Sequence, residues 1–250
     1  MISFISYLII LLLSFIFNIF PRRISLFFGR LLGLFIYYII PIRKSVAFKN
    51  IKDNFPDLNK GQHLNILKNT YIHFGMVFSD FLRQFCLNKK KIDKIVSIDN
   101  ETISLLKKYQ GSIIMTGHLG NWEYFLPILG LNGIKFSIVA QKIKNSYLNK
   151  LFLKYRSFKN IQIIFRDEGT QKMISALDNE FHLGLASDQN AGKRGIKVKL
   201  LNSEISIPKG AAIFHLKTKK PIFIGYCLMN QNYNYDFFIK SLVLPKKNNS

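Results

Sequence analysis

Short β-branched runs alternate with helical stretches through the second half of the chain, and this alternation strongly constrains the fold. The expected strands are Ser112–Thr116, Phe136–Ala140, Asn160–Phe165, Leu183–Ser187 and Pro221–Cys227, and the expected helices are Asn121–Leu129, Ser146–Arg156, Thr170–Asn179 and Gly210–Thr218. Strands that are apolar almost throughout are typical of a sheet covered on both faces. The pattern therefore predicts an α/β fold with a mostly parallel central sheet flanked by helices.

The first twenty residues contain no charged side chain and only four clearly polar ones, Ser3, Ser6, Ser14 and Asn18. A helix of this length is about 30 Å long, which is the thickness of a bilayer core. Two arginines follow directly after Pro21, and they place the remainder of the chain on the cytoplasmic side. A cleaved signal peptide would need a basic start and a small-residue cleavage site, and neither is present. We therefore predict a membrane anchor at residues 1–20 and a domain at 21–250.

A second apolar stretch, residues 24–42, is interrupted by Arg30 and punctuated by glycines and Pro41. These features favour an interfacial helix over a second membrane span. Residues 43–87 have helical spacing, and the run Asp57-Leu58-Asn59 supplies residues that cap helices.

The charge of the chain is strongly basic, because 36 Lys and Arg residues face 14 Asp and Glu residues, for a net charge of +22. An apolar content of 48% excludes a disordered basic tail. A basic, apolar chain suggests anionic lipid, an acidic carrier protein or nucleic acid as its partner. No acidic residue occurs between Tyr124 and Arg166, and Lys150, Lys154 and Arg156 are predicted to steer acidic substrates there.

The run Ile113–Phe125, IIMTGHLGNWEYF, places a histidine directly after a buried strand. Functional groups gather at the carboxyl ends of strands in such sheets, and Gly117 and Gly120 bracket His118 there. Glu123 follows in the first turn of the next helix, from which its carboxylate can reach back to the imidazole. The carboxylate would then leave the other ring nitrogen free to take a proton. A capping histidine, with the glutamate placed for the helix dipole, is the alternative.

The segment GHLGNWE resembles the His-x4-acid motif of the glycerolipid and lysophospholipid acyltransferase superfamily, in the form typical of lipid A biosynthesis acyltransferases. The resemblance covers roughly residues 20–245. Further matching segments are Asn50-Ile51, Phe55-Pro56, Ser187-Asp188-Gln189, Gly195, Val198, Leu200, Pro208, Gly210, Ala211, Lys217-Thr218 and Pro221.

The resemblance implies transfer of a fatty acyl chain from an acyl carrier protein thioester to a hydroxyl of a lipid A precursor in lipopolysaccharide biosynthesis. His118 would be the general base, and Glu123 would hold and polarise it. The residues expected to bind or position substrate are Gly120, Asn121, Gln141, Arg156, Arg166, Asp188 and Gln189. Gln141 stands where the family usually has an arginine.

No metal or cofactor is expected, because the other histidines show no ligand spacing and the thioester, on acyl carrier protein or coenzyme A, is already activated. The implied partners are acyl carrier protein, an anionic lipid A precursor and the membrane, with no nucleic acid. The implied location is the cytoplasmic face of a bacterial inner membrane.

Three other interpretations remain. A glycerophospholipid or other glycolipid acyltransferase would use the same His118 and Glu123 pair on a different acceptor. A degenerate, non-catalytic family member would explain a chain that ends at Ser250, before a Trp- and Arg-rich helix that the family carries. A membrane-tethered nucleic-acid-binding protein would explain the charge, but it gives no reason for the segment GHLGNWE.

Overall fold

The computed structural model describes residues 2–244, with side chains from residue 3 onward. Met1 and residues 245–250, which the predicted anchor and domain include, lie outside the described residues. The chain divides into two compact units. One consists of Met1–Cys86 with Lys197–Ser206, and the other consists of Leu87–Ile196 with Ile207–Ser250.

The first unit is mainly helical. Its helices are α1 (Ile2–Ile19), α2 (Arg22–Tyr38), α3 (Lys44–Asn54) and α4 (Lys60–Arg83). Helix α4 begins within the capping segment that the sequence indicates. The Asn59 side chain accepts a hydrogen bond from the Gln62 backbone N–H at 3.0 Å, and the Gln62 side chain accepts one from the Asn59 N–H at 2.8 Å. This reciprocal capping box satisfies two N–H groups that a helix start would otherwise leave unbonded.

Helices α2 and α4 approach each other backbone to backbone because glycines lie at their contact. A Cβ atom placed on Gly75 would lie 2.1 Å from the Gly29 carbonyl oxygen. A Cβ atom on Gly33 would lie 2.3 Å from the Tyr71 carbonyl oxygen. No side chain fits at such distances, so these glycines set the spacing of the two helices.

Replacing Gly75 with alanine is expected to destabilise the protein by about 3 kcal/mol, because the clash is with backbone that cannot rotate away. Thermal unfolding followed by circular dichroism measures the loss. Gly210→Ala is the control, since the nearest atom to its new Cβ is Leu185 Cδ1 at 3.8 Å. An unchanged melting temperature in Gly75→Ala would show that the helices can separate without cost.

Helix α1 packs on α4 through polar side chains. Ser14 Oγ donates to the Leu82 carbonyl oxygen at 2.9 Å, and Asn18 Nδ2 donates to the same oxygen at 3.0 Å. The helix ends at Ile19 after 18 residues, whereas a span typically takes about 20 apolar residues. Within residues 2–244, no helix combines the length and apolarity needed to cross a bilayer. The structure therefore does not support the transmembrane anchor predicted at residues 1–20.

The second unit is an α/β layer structure. Its strands are β1 (Val96–Ile98), β2 (Ile113–Thr116), β3 (Phe136–Ala140), β4 (Ile161–Phe165), β5 (His182–Ala186), β8 (Ile222–Met229) and β9 (Tyr235–Val243). Strands β6 (Ile196–Leu200) and β7 (Ser203–Ile207) fall almost entirely within the segment that belongs to the first unit. The helices of the second unit are α5 (Lys89–Ile92), α6 (Asn100–Lys108), α7 (Phe125–Leu131), α8 (Ser146–Tyr155), α9 (Thr170–Asp178) and α10 (Gly210–Thr218). The seven-stranded sheet has the order β1-β9-β8-β2-β5-β3-β4, and only β8 and β9 pair antiparallel.

Both faces of this sheet are buried, as the apolar strands predict. Ile113 belongs to a core cluster with Leu177 of α9 and Phe214 of α10. The next residue, Ile114, belongs to a separate cluster with Leu106 of α6 and Ile128 of α7. Successive side chains of a strand point to opposite faces, so the two clusters lie on opposite sides of the sheet. The predicted α/β fold is confirmed.

The sequence missed several elements. Strands β1 and β9 extend the sheet at one edge, and β6 and β7 form a separate two-stranded sheet. The helix predicted over 121–129 is instead a short 3₁₀ turn, Trp122–Tyr124, followed by α7. The 3₁₀ turn matters for the site, because it points the Glu123 side chain in a different direction from the one that the predicted helix would give.

His182, at the start of β5, is buried and neutral. Its Nδ1 accepts a hydrogen bond from the Ser112 hydroxyl at 2.6 Å, and burial lowers its pKa from 6.5 to about 4 despite a hydrogen bond to the Leu106 backbone. The unfolded chain therefore binds more protons between about pH 4 and 6.5. We expect the free energy of unfolding to fall by about 3 kcal/mol as the pH drops through that window.

Urea unfolding at a series of pH values measures this loss. His182→Gln removes the titrating group, so its unfolding free energy should depend much less on pH between 4 and 6.5. Equal slopes in the two proteins would contradict the assignment.

Candidate active site

The pairing of β2 with β5 brings two candidate functional side chains together. The strands are adjacent and parallel, and Thr116, the last residue of β2, is aligned with Ala186, the last residue of β5. His118 and Asp188 each follow two residues later, so the register places them side by side at the carboxyl edge of the sheet. This edge is where open α/β sheets carry their ligands and catalytic groups.

Asp188 holds His118 through two hydrogen bonds. The His118 backbone N–H donates to Asp188 Oδ2 at 2.7 Å, and Nδ1 of the ring lies 2.9 Å from Asp188 Oδ1. With Nδ1 donating to the carboxylate, Nε2 of the neutral ring carries a lone pair. In the part of the chain that the structure describes, Nε2 has no hydrogen-bond partner. About a third of the His118 side chain is exposed.

The surroundings of the pair favour an ionised Asp188 and a fixed ring. Partial burial acts to raise the pKa of Asp188, but hydrogen bonds from the His118 backbone and ring, with the charge of that ring, hold it below its ordinary value. The Trp122 ring packs edge-on against the imidazole, with 4.9 Å between ring centroids. The histidine is thus oriented by a carboxylate on one side and an aromatic ring on the other.

The predicted contact between Glu123 and His118 is wrong. Glu123 accepts two hydrogen bonds from Arg156, at 2.9 Å from Nε and 2.5 Å from Nη2. The pair is largely shielded from water, with side-chain exposures of 11% for Glu123 and 19% for Arg156. Glu123 lies in the 3₁₀ turn, which aims its side chain at the end of α8. The carboxylate that bonds the His118 imidazole is that of Asp188, which follows β5, the strand next to β2 in the sheet.

Gly120 allows the backbone to form the turn that follows β2. Its φ of 65° lies in the left-handed region, and a Cβ atom there would lie 2.1 Å from the Cys227 carbonyl oxygen. The same oxygen accepts a hydrogen bond from the Asn121 N–H at 2.7 Å. Glycine is required because the turn after β2 closes directly against β8.

Asn121 is fully buried, and its Nδ2 donates to the Tyr235 hydroxyl at 3.1 Å. The prediction that this side chain binds substrate is therefore corrected. It ties the turn that carries His118 to β9, and its own Oδ1 has no hydrogen-bond partner among the described residues.

The remaining predicted site residues lie at the same edge of the sheet without a described contact to His118. Gln189 directly follows Asp188, and Gln141 follows β3. Arg166 follows β4, which is three strands from β2, or about 14 Å across the sheet. All three side chains are exposed, and their roles in binding substrate stay predictions.

No group of three or more His, Cys, Asp and Glu side chains within residues 2–244 could hold a metal ion. A histidine with one nitrogen fixed by a carboxylate and the other open can take a proton from a hydroxyl group. The sequence predicts Asp188 as a residue that positions the substrate or the active site, and its place after the end of a strand is the signal that points to it.

Two known acyltransferases are similar to this chain. A phosphatidylinositol mannoside acyltransferase from Mycolicibacterium smegmatis is 23% identical over 138 residues, which are 53% of this chain and 45% of that protein. The chain thus matches less than half the length of this relative. The crystal structure of the 1-acyl-sn-glycerophosphate acyltransferase PlsC from Thermotoga maritima is similar with a TM-score of 0.38 and 15% identity, covering 89% of this chain and 88% of that one.

A sequence model of a whole family covers far more of the chain than the curated relative does. It describes bacterial lipid A biosynthesis acyltransferases and matches residues 1–246. The match includes the helical unit, the sheet and the turn that carries His118. The chain therefore belongs to the bacterial lipid A biosynthesis acyltransferase family, a family of acyl-transferring enzymes.

Proposed function

We propose that this protein transfers a fatty acyl chain from a thioester to a hydroxyl of a lipid A precursor, with His118 as general base. The observation that carries the proposal is the hydrogen-bonded pair of His118 and Asp188 with Nε2 left open. A hydroxyl has a pKa far above neutrality, so its attack on a thioester needs proton removal as the new bond forms. A neutral imidazole is suited to that task near pH 7.

The proposed reaction needs no covalent intermediate on the protein. His118 Nε2 takes the proton of the acceptor hydroxyl while the oxygen attacks the thioester carbonyl carbon. The new carbon–oxygen bond forms, the carbon–sulfur bond breaks, and the imidazolium returns the proton to the departing thiol. Asp188 stabilises the imidazolium between these steps through its hydrogen bond to Nδ1.

The pair of Glu123 and Arg156 is assigned a positioning role. It joins the 3₁₀ turn after His118 to the end of α8, and two parallel charge-assisted hydrogen bonds make such a link strong and geometrically specific. Held in this way, the turn keeps the Trp122 ring against the imidazole. Arg156 is thereby removed from the set of surface residues that the sequence predicts to steer acidic substrates.

The proposed acyl donor is acyl carrier protein, with acyl-coenzyme A as the alternative. Support comes from the charge of the segment between β3 and the end of α8, which contains exposed lysines and no acidic residue. Acyl carrier protein is acidic, so this segment offers a complementary surface. The proposed location is the cytoplasmic face of a bacterial inner membrane, where acceptor lipid and donor meet.

A second candidate function is acyl transfer to another glycolipid. The specific observation in its favour is the matched relative, whose name gives a phosphatidylinositol mannoside as its acceptor. The same histidine would serve either acceptor. Purified protein offered labelled acyl carrier protein or acyl-coenzyme A, with a lipid A precursor, a phosphatidylinositol mannoside or a lysophospholipid, separates these possibilities by the product formed.

Asp188→Asn tests the proposed dyad in the same assay. The asparagine keeps the shape of the side chain but loses the charge that stabilises the imidazolium, so we expect kcat to fall by about tenfold to a hundredfold. The matched control is Asp178→Asn, at the exposed end of α9, which should keep full activity. Two results together would contradict this assignment: wild-type turnover in Asp188→Asn, and a steep loss of kcat with normal folding in Glu123→Gln. They would show that Glu123, and not Asp188, stabilises the His118 imidazolium.

A further inference from the structure

The helical unit contains an open cavity of about 540 Å³ between α3 and α4. Three apolar side chains, Phe48, Leu64 and Leu67, and three basic ones, Arg43, Lys44 and Lys60, line it. The volume is within the range of small-molecule sites in proteins. An apolar lining beside several cationic groups is complementary to an anionic amphiphile.

The charge in this cavity is not neutralised by the protein. None of its lining residues is acidic. Within the described residues, Arg43 and Lys60 form no ion pair, while the Lys44 ammonium donates to the Tyr37 carbonyl oxygen and lies 3.7 Å from the centroid of the Tyr37 ring. Lysines and arginines placed around one cavity without a carboxylate favour an anionic ligand.

The start of α3 adds to the positive potential. The helix has 11 residues, and the side chain of its N-cap residue, Arg43, forms no capping hydrogen bond. Lys44 and Ser45, both in that turn, line the cavity. Unbonded N–H groups at a helix start favour a negative charge nearby, and they reinforce the three basic side chains.

The chain next to the cavity exposes apolar side chains to an unusual degree. Directly before Arg43, the side chains of Tyr38, Ile39, Ile40 and Ile42 are between 51% and 65% exposed. Helix α2 turns its small residues toward α4 and leaves an exposed apolar stripe of Ile24, Phe27, Leu31 and Phe35. Contiguous apolar surface of this kind marks an interaction site on a protein.

The N-terminal part of the helical unit carries a net positive charge, which a negatively charged surface attracts. Residues 1–86 contain ten Lys and Arg residues and three Asp residues, with no Glu. Two of those three aspartates are neutralised, Asp80 by Arg22 and Asp53 by Lys49. Basic and apolar side chains on one segment are typical of proteins that lie on anionic bilayers.

We propose that the cavity between α3 and α4 binds an anionic phospholipid of the bilayer. Its phosphate lies among Arg43, Lys44 and Lys60, and the start of an acyl chain lies on Phe48, Leu64 and Leu67. A free phosphate would leave the apolar part of the cavity exposed to water. The lipid is a docking ligand and not a substrate, so the proposal does not depend on the acyl transfer proposed above.

Flotation of the full-length protein with vesicles of phosphatidylglycerol in phosphatidylcholine measures this binding. We expect Arg43→Glu and Lys60→Glu each to lower the partition coefficient at least fivefold, because each basic residue near an anionic surface contributes about that factor. Lys52→Glu is the matched control, since it makes the same charge change at an exposed position of α3 outside the cavity. It should lower partitioning less than twofold.

A second variant separates an occupied cavity from diffuse surface charge. Ser45→Trp places a bulky ring at the exposed start of α3 without altering the charge, and we expect it also to lower partitioning to phosphatidylglycerol vesicles. An equal effect of Lys52→Glu and Lys60→Glu, or no effect of Ser45→Trp in a folded protein, would overturn the proposal. Displacement from vesicles by millimolar inorganic phosphate would overturn it in favour of a free-phosphate site.

Acyl transfer to an acceptor dispersed in detergent is measured in the same variants. Lys60→Glu should retain it, because the proposed docking lipid is not a substrate and detergent takes the place of the bilayer. A loss of lipid binding with normal transfer supports the docking role. A loss of transfer in Lys60→Glu in detergent would assign the cavity to the acceptor instead and contradict the docking proposal.

Discussion

Replacing His118 with alanine is expected to lower the turnover of acyl transfer by about 10²–10⁴-fold, the usual contribution of a general base. The loss should appear in kcat, because the imidazole acts on the proton that moves in the transition state. Folding should be little affected, since the side chain is partly exposed and the turn is held by backbone contacts of Gly120 and Asn121 to Cys227.

Single-turnover transfer of a labelled acyl chain measures this loss, with circular dichroism as the check on folding. His215→Ala is the control, because His215 lies in α10 with its Nδ1 2.7 Å from the Lys220 carbonyl oxygen, away from the edge that carries the site. A folded His118→Ala protein with near wild-type turnover would eliminate the general-base mechanism and leave the family assignment standing.

Glu123→Gln is expected to destabilise the protein by about 3 kcal/mol, because it leaves the Arg156 guanidinium largely shielded from water without its counter-charge. Chemical unfolding measures the loss. Arg156→Met should have a similar cost, since it leaves the Glu123 carboxylate alone. The double variant should recover much of the loss, because replacing both members of a shielded ion pair is often close to neutral.

The double-mutant cycle distinguishes a positioning pair from a catalytic glutamate. If Glu123 acts through Arg156, as the hydrogen bonds indicate, the coupling energy between the two residues is large and the pH profile of kcat in Glu123→Gln keeps its shape. A shifted pH profile with little loss of stability would instead show that Glu123 acts on the ionisation of His118.

Much of the fold was predictable because its signals are local. The apolar runs at β2, β3, β4, β5 and β8 are bounded by polar residues, and their length and β-branched content suffice to identify buried strands. Strand β1 has three residues, which is too short for any periodicity. Strand β9 does alternate, with buried Tyr235, Phe237 and Ile239, but its pairing to β8 is a contact between segments that sequence spacing alone does not identify.

Helix α1 shows that a local pattern can predict a helix without revealing what the helix packs against. Its composition is typical of a membrane anchor, and a helix is indeed present at Ile2–Ile19. Ser14 and Asn18, however, bond to the Leu82 carbonyl oxygen at the end of α4. That partner lies more than sixty residues away along the chain, so no window of the sequence could reveal it.

The sequence by itself determined five strands, β2, β3, β4, β5 and β8, and the position of His118 after the first of these, because strand propensity and turn chemistry depend on neighbouring residues. Only the tertiary structure decided which acidic side chain forms a hydrogen bond with this histidine. Sheet order places β5 beside β2, and the parallel register sets Asp188 opposite His118 from seventy residues away. Glu123 is nearer in the chain, yet the 3₁₀ turn directs it to Arg156, because backbone geometry sets where a side chain points.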